Sequence, residues 1–502
     1  MSIKNNHIVS TAFSVTGLLL VSKLLGFIKQ LVTASTFGTT LETDLISLSQ
    51  DLIGNLQYLL VQAVLSALIA VYLHTAQQGE DAAKRFSFDV WKALTVITAG
   101  VVLLVELFAP WLARLIAPSY PDEQLVQLSR YLRLFAPVLL LLVWIAVFNG
   151  LLHANKRFIP GEMISVHQSL FLIVLTVLLA GRLGVGVLVL AFFASNLWNA
   201  GYTALLSRRY WRVSHGSPFR NPAVRRLLRM MLPLLLGYSL VYVNQMVDKA
   251  LVSGLDAGAV TALGYAAVLS NLVGTFIITF ASMLFAYVTS RIAAGDENGA
   301  AQLTERTSLL LSVTFLPISI LTVLLSEEIV TIVYARGAFD TESVRVCAQA
   351  LRGYALMFAP MIFQEVYSRF LYGFQDSKKP MVNSSVAAVC NIALSIALCP
   401  RFGVAGVTVA TSISVALGGA LNLYSARREH PELHSAALLR ALPWLLVGCA
   451  ACGVAAHLCA ARLAGQSALI RFVLAAMAGF VAYAVAAGPL LLRLWRQFRR
   501  NT

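Results

Sequence analysis

Two ammonium groups stand inside the first long apolar stretch of the chain. Lys23 and Lys29 interrupt VSKLLGFIKQLVTASTFGTTLETD, residues 21–44, and an ammonium at membrane depth costs roughly 2.5 to 3.5 kcal/mol even on the lenient insertion scale. Such a cost points to water and an anion beside them. Six residues of helix separate the two by about 9 Å along the axis and about 120° around it, which predicts two walls of a wide cavity rather than one stripe. Lys29 is near enough to the helix end to snorkel to an interface; Lys23 is not. Gly26 leaves room for another helix or a lipid tail, and Phe37-Gly38-Thr39-Thr40 ends the helix.

Other polar residues at apolar depth are Asp44, Asp51, Gln57, Gln62 and Arg133 in the first half, and Asp248, Lys249, Arg352, Glu365 and Arg369 in the second. Asp44 and Asp51 share a helix face and offer a counter-ion to Lys29; alternatively Asp44 starts a helix, where an acid suits the dipole. The cavity assembled from Lys23, Lys29, Asp44, Gln57, Gln62, Lys249 and Arg352 is net cationic, so its substrate should be anionic, and a diphosphate on a lipid carrier fits. Asp248 and Lys249 diverge by about 100° and must serve different partners. Asn391 with Ser395, and Val407 with Thr411, pair at i and i+4. With Asp248 they offer one carboxylate and several neutral oxygens, a donor set for a hard cation. Without an ion they would be interhelical hydrogen bonds.

These side chains need apolar helices to carry them. Hydrophobic residues make up 58% of the 502 and charged residues 12%, far more apolar sequence than one soluble core can use, so the chain reads as a polytopic membrane protein. The net charge of +15 sits in alternate loops rather than in a nucleic-acid patch, and no nucleic-acid partner is expected. The first apolar run is long and followed by others, so it reads as retained rather than as a cleaved signal. The six cysteines fall almost entirely in apolar runs; Cys449 and Cys452 have metal-ligand spacing but no second pair, which favours helix packing. No P-loop, HExxH, GxSxG or dinucleotide fingerprint is present, so neither an enzyme nor an ATPase is expected.

Runs of about 20 apolar residues predict an all-α membrane fold of fourteen transmembrane helices. Basic residues such as Lys84, Arg85, Lys156, Arg157, Lys378, Lys379, Arg427 and Arg428 fall on one side, which places both termini in the cytoplasm. Residues 207–229 hold seven arginines and read as a cytoplasmic linker that also attracts anionic membrane lipids. The halves repeat at an offset of about 219 residues: Tyr131-Leu-Arg-Leu-Phe-Ala136 recurs as Ala350-Leu-Arg-Gly-Tyr-Ala355, Asn155–Pro160 as Asp376–Pro380, and Arg182-Leu-Gly-Val185 as Arg401-Phe-Gly-Val404. Six helices per repeat keep the same orientation, giving two lobes in a parallel pseudo-two-fold arrangement around a central cavity. The predicted division is an N-terminal lobe over 1–207, a basic linker over 208–223, a C-terminal lobe over 224–428, and a helix pair with a basic tail over 429–502.

At Lys23–Asp44, Val243–Ser253, Tyr334–Asp340 and Phe370–Asp376 the chain resembles the MurJ/MviN lipid II flippases of the multidrug/oligosaccharidyl-lipid/polysaccharide flippase superfamily. The resemblance implies a flip of an undecaprenyl-diphosphate-linked glycan, lipid II or an exopolysaccharide unit, from the cytoplasmic to the outer leaflet of a bacterial inner membrane. It also implies a lipid-tail groove at the last two helices, and a coupling sodium at Asp248, Asn391, Ser395, Val407 and Thr411. Cell-envelope glycosyltransferases are the implied partners. The family's helix-1 arginines stand here as Lys23 and Lys29, its helix-2 arginine and glutamate as Gln57 and Gln62, and its helix-8 Asp-Arg pair as Ala267 and Val268. The competing readings are a cation-coupled MATE-type drug exporter, which would want an acidic cavity, and a transport-inactive membrane scaffold.

Overall fold

The computed structural model describes residues 2–434 and 436–490, with side chains from residue 17 onward except at 20, 233–234, 236–241 and 435–437. Every regular element among them is helical. In chain order these are α1 (Ser2–Phe37), α2 (Leu41–Ala76), α3 (Glu80–Ile116), α4 (Asp122–Phe135), α5 (Val138–Ala154), α6 (Ile159–Leu183), α7 (Gly186–Ser207), α8 (Pro222–Val252), α9 (Ala259–Ala293), α10 (Glu297–Leu324), α11 (Ser326–Tyr334), α12 (Thr341–Ala355), α13 (Phe358–Gly373), α14 (Lys378–Glu429), α15 (Ala436–Arg462) and α16 (Ala468–Ala486). Ten spans among the described residues are long and apolar enough to cross a membrane, eleven if the bent pair α12–α13 counts as one. The chain is a multi-pass membrane protein.

Short polar caps decide where these helices begin. Thr40 and Thr43 form a capping box at α2, Asn221 accepts from the Ala223 N–H at α8 with Pro222 in the first turn, and Asp296 accepts from Gly299 at α10. Asp340 accepts both the N–H and the hydroxyl of Ser343 at α12. Each satisfies an N–H that has no partner within its own helix.

The sequence repeat returns as a repeat of backbone geometry. Lys156 and Gln375 both take left-handed φ values, 60° and 62°, at the turns after α5 and α13. Each turn closes the same way: Arg157 N–H donates to Leu152 O at 2.8 Å, and Asp376 N–H to Leu371 O at 3.1 Å. Gly184 ends α6 with φ 55°, and Gly403 kinks α14 with φ 59°, separating the two apolar runs that the sequence reads as distinct helices. Arg133 of α4 reaches the Glu106 carbonyl on α3 at 3.2 Å. Its counterpart Arg352 of α12 donates to Ser326 Oγ at 2.7 Å and lies 3.7 Å from Glu327. In both halves the arginine pins a short half-helix to the element before it.

The chain divides into two compact units, one comprising residues 1–260 with 336–339 and the other 261–335 with 340–502. Within the first, Phe86, Leu68, Val147, Leu151 and Leu227 form a buried core of α2, α3, α5 and α8, and α1 packs chiefly along α6. The helix α8, which the repeat groups with the later helices, packs here on α2 and α3. Within the second, the α15–α16 hairpin packs on α10 through Cys452, Ala456, Ala475 and Tyr483, and the Tyr483 hydroxyl donates to Val313 O at 3.0 Å. Cys452 is thus a small core residue. Outward-facing Leu107, Trp111, Val177 and Leu178 remain exposed, the surface a lipid solvent allows.

Candidate functional site

In the first unit the site begins at the C-terminal end of α1. Gly38, at φ 61°, ends the helix, and a Cβ there would run into the carbonyl oxygen of Ala338. One at Gly337 would strike Ser35 O, and Ala338 N–H donates to that same Ser35 oxygen at 2.8 Å. Segment 336–339 therefore seats on the α1–α2 corner only because both segments have glycine at the contact. Beside it Asp44, 1% exposed, accepts the Gly258 N–H at 2.7 Å, placing a carboxylate at the positive end of α9. Burial, with the Asp44 charge nearby, pushes the Tyr120 hydroxyl in the α3–α4 loop well above its usual range.

The polar residues of α2 and α8 divide their tasks. Lys249 forms an ion pair with Asp51, with side chains 22% and 41% exposed, while Asp248 on the adjacent face is 8% exposed. Of the two acids that the sequence offers as a counter-ion to Lys29, Asp51 is taken by Lys249. The physical reason is helix packing: α2 lies against α8, whereas the helix bearing Lys29 lies against α6. Asp44 likewise serves Gly258 and sits buried rather than lining open space. Gln57 and Gln62 are half-buried on α2.

Lys23 is exposed and Lys29 half-buried. Neither meets a carboxylate among the described residues, and the space beside Gly26 is open. Two ammonium groups on an apolar helix with no carboxylate partner among the described residues can hold an anion. Lys249, neutralised by Asp51, and Arg352, held at the start of α11, contribute less to that task.

Of the cation-site candidates, Asp248 belongs to the first unit and Asn391, Ser395, Val407 and Thr411 to the second. On α14, Asn391 Nδ2 donates to Thr411 Oγ1 at 3.1 Å, and Thr411 Oγ1 to Val407 O at 3.1 Å, across the Gly403 kink. The oxygens are neutral and buried: Asn391 is 2% and Ser395 0% exposed. By chemistry they fit a hard cation only with a carboxylate added.

Sequence reading missed a second polar system. His167 Nδ1 lies 2.9 Å from Asn199 Oδ1, Gln168 Nε2 donates to Asn196 Oδ1 at 3.0 Å, and Asn199 Nδ2 to Ile164 O at 3.2 Å, joining α6 to α7. Asn383 and Asn422 join the two arms of α14 in the same manner at 2.9 Å. The legible signal was amides at i and i+3 in apolar sequence, Asn196 and Asn199. Arg471 on α16 also pairs with Glu328 of α11 at 2.7 Å.

A family model described as "Lipid II flippase MurJ" matches residues 33–478. The chain belongs to the lipid II flippase MurJ family. A probable lipid II flippase MurJ of Rhizobium tropici is 25% identical over 89% of this chain and 86% of its own length. The one from Rhizobium meliloti is 24% identical over 80% and 77%. Among solved structures, a lipid II flippase MurJ in an inward closed conformation superposes with a TM-score of 0.76 at 20% identity, covering 95% of this chain and all of that one. An inward-facing multidrug resistance MATE transporter reaches 0.62 at 13% identity, over 83% of this chain and 96% of that one. The MurJ family comprises flippases, so this is a transporter rather than an enzyme, and the MATE likeness is one of fold.

Proposed function

We propose that this chain flips lipid II, by alternating access, from the cytoplasmic to the outer leaflet of a bacterial inner membrane, with Lys23 and Lys29 holding the diphosphate. The observation that carries the reading is a family match over residues 33–478 in a chain whose α1 lysines meet no carboxylate among the described residues. Cationic drugs, the substrates of the MATE-type alternative, would be repelled by the same lysines. Complementation tests the reading: the chain should sustain a bacterium depleted of its own flippase, Lys29→Ala should abolish growth, and Lys29→Arg should retain much of it. Full activity of a well-expressed double variant, Lys23→Ala with Lys29→Ala, would sink the anionic-site model.

The finer architecture belongs to the same proposal. Fourteen crossings result if α7 and α8 each cross, α12–α13 counts as one, and α14 counts as two arms about Gly403. Both ends are then cytoplasmic, in agreement with the basic linker. Reporter fusions at Gly216 and Gln466 should score on opposite sides, cytoplasmic and periplasmic; two on one side would overturn the assignment. Sodium is the proposed coupling ion, with Asp248 as the charged ligand.

A further inference from the structure

The first unit carries a cavity of about 650 Å³ that the α1 lysines do not line. It lies where the last turn of α2 and the first turns of α3 meet residues 214–226, and Arg85, Arg226 and His74 line it with Thr75, Gln78 and Asn221. Other bases nearby are already paired: Lys84 with Glu80, Lys92 with Asp89, and Arg212 with Asp81. Arg85 and Arg226 meet no carboxylate among the described residues. The acid in the wall, Asp89, is ion-paired: Oδ2 accepts from Asn221 Nδ2 at 3.0 Å, and Oδ1, buried and without a hydrogen bond, lies 3.2 Å from Lys92 Nζ.

Three further features give the cavity its character. Ala223, in the first turn of α8, lines it, so the positive end of that helix, which has no acid in its first turn, adds to the two guanidinium groups. Lys92 Nζ donates to the carbonyls of Ser214 and Gly216 at 2.7 and 2.8 Å, which fixes the wall formed by the basic segment. Nearby, Trp91 packs on Trp144 and Phe88, and Trp211 on Phe88 and Phe148, an aromatic cluster of the kind that sits at headgroup level.

We propose that this cavity binds a phosphate group through Arg85 and Arg226, carried either by a lipid headgroup of the adjoining leaflet or by a soluble phosphate ester. The planar guanidinium fork suits phosphate better than an ammonium does. The bound group ties the α2–α3 turn to the start of α8. This inference is independent of what the α1 lysines transport.

The test is titration of the purified full chain in a neutral maltoside detergent, followed by tryptophan fluorescence and thermal shift. One arm uses short-chain phosphatidylglycerol and the other glycerol 3-phosphate. A saturable response is expected, weakened about tenfold by Arg85→Gln or Arg226→Gln, and changed less than about twofold by Arg208→Gln with Arg209→Gln, which lie outside the cavity. A response to phosphatidylglycerol alone assigns a lipid headgroup; a response to both assigns a soluble ester. No saturable response in either arm overturns the site, and so does equal weakening by the Arg208, Arg209 control, which would reduce the effect to bulk charge. Arg85→Lys and Arg226→Lys, which keep charge and lose the fork, should bind more weakly than the wild type even if a glutamine variant fails to fold.

Discussion

Asp51→Asn removes the carboxylate that faces Lys249 while leaving the ammonium in place. Breaking a fully buried pair by deleting one partner costs about 3 to 5 kcal/mol, and an exposed pair contributes about 0 to 1. Side-chain exposures of 22% for Lys249 and 41% for Asp51 put this pair between those limits, at about 2 kcal/mol. At about 2 to 4 °C per kcal/mol for a unit of this size, the apparent Tm should fall by about 4 to 8 °C. Lys249→Met alone should cost less, because a half-exposed carboxylate keeps some water. The double variant Asp51→Asn with Lys249→Met should recover most of the loss, since both charges then leave together. Thermal unfolding of the four proteins in one detergent completes a double-mutant cycle. A coupling below about 0.5 kcal/mol would show that α2 and α8 are not joined through this pair, and would return Asp51 to the pool of possible partners for Lys29.

Other outcomes follow from separate parts of the molecule. Asp248→Asn should slow flipping in proteoliposomes and remove its dependence on a sodium gradient while leaving lipid-linked substrate binding intact; wild-type rates under every gradient would make the acid structural. Gln375→Gly and Lys156→Gly should each raise thermal stability, by about 0.5 to 1 kcal/mol, because both positions hold a left-handed φ that glycine adopts without strain; a loss would mean that their side chains matter more than the turn. Asp340→Ala should destabilise by about 1 kcal/mol through loss of the α12 cap. The Ser343 hydroxyl and N–H hold the Asp340 carboxyl below its usual range, so the cap's contribution is complete above the unfolded value near 3.9 and fades as pH falls through the lower folded value; a wild-type minus Asp340→Ala difference that grows on acidification would contradict this.

The amino-acid sequence alone determined the features that depend on neighbours along the chain. Apolar runs of sufficient length gave the helices, because a backbone in lipid must satisfy its hydrogen bonds within each segment. The repeated Asn155–Pro160 and Asp376–Pro380 turns were readable, since a helix stop needs only a few local residues, and both adopt the same left-handed geometry. The cost of an ammonium in an apolar helix singled out Lys23 and Lys29 before any partner was known. What a polar side chain meets is a different matter, because helical periodicity fixes the face of its own helix but not which helix lies opposite. Only the tertiary structure gave Asp51 to Lys249 rather than to Lys29, turned Asp44 toward the Gly258 N–H, and brought Arg352 to Ser326. The α6–α7 amide contacts and the cavity of Arg85 and Arg226 were hidden for the same reason: each joins residues far apart in sequence, and nothing in the order of residues says that α2 packs on α8 while α1 packs on α6.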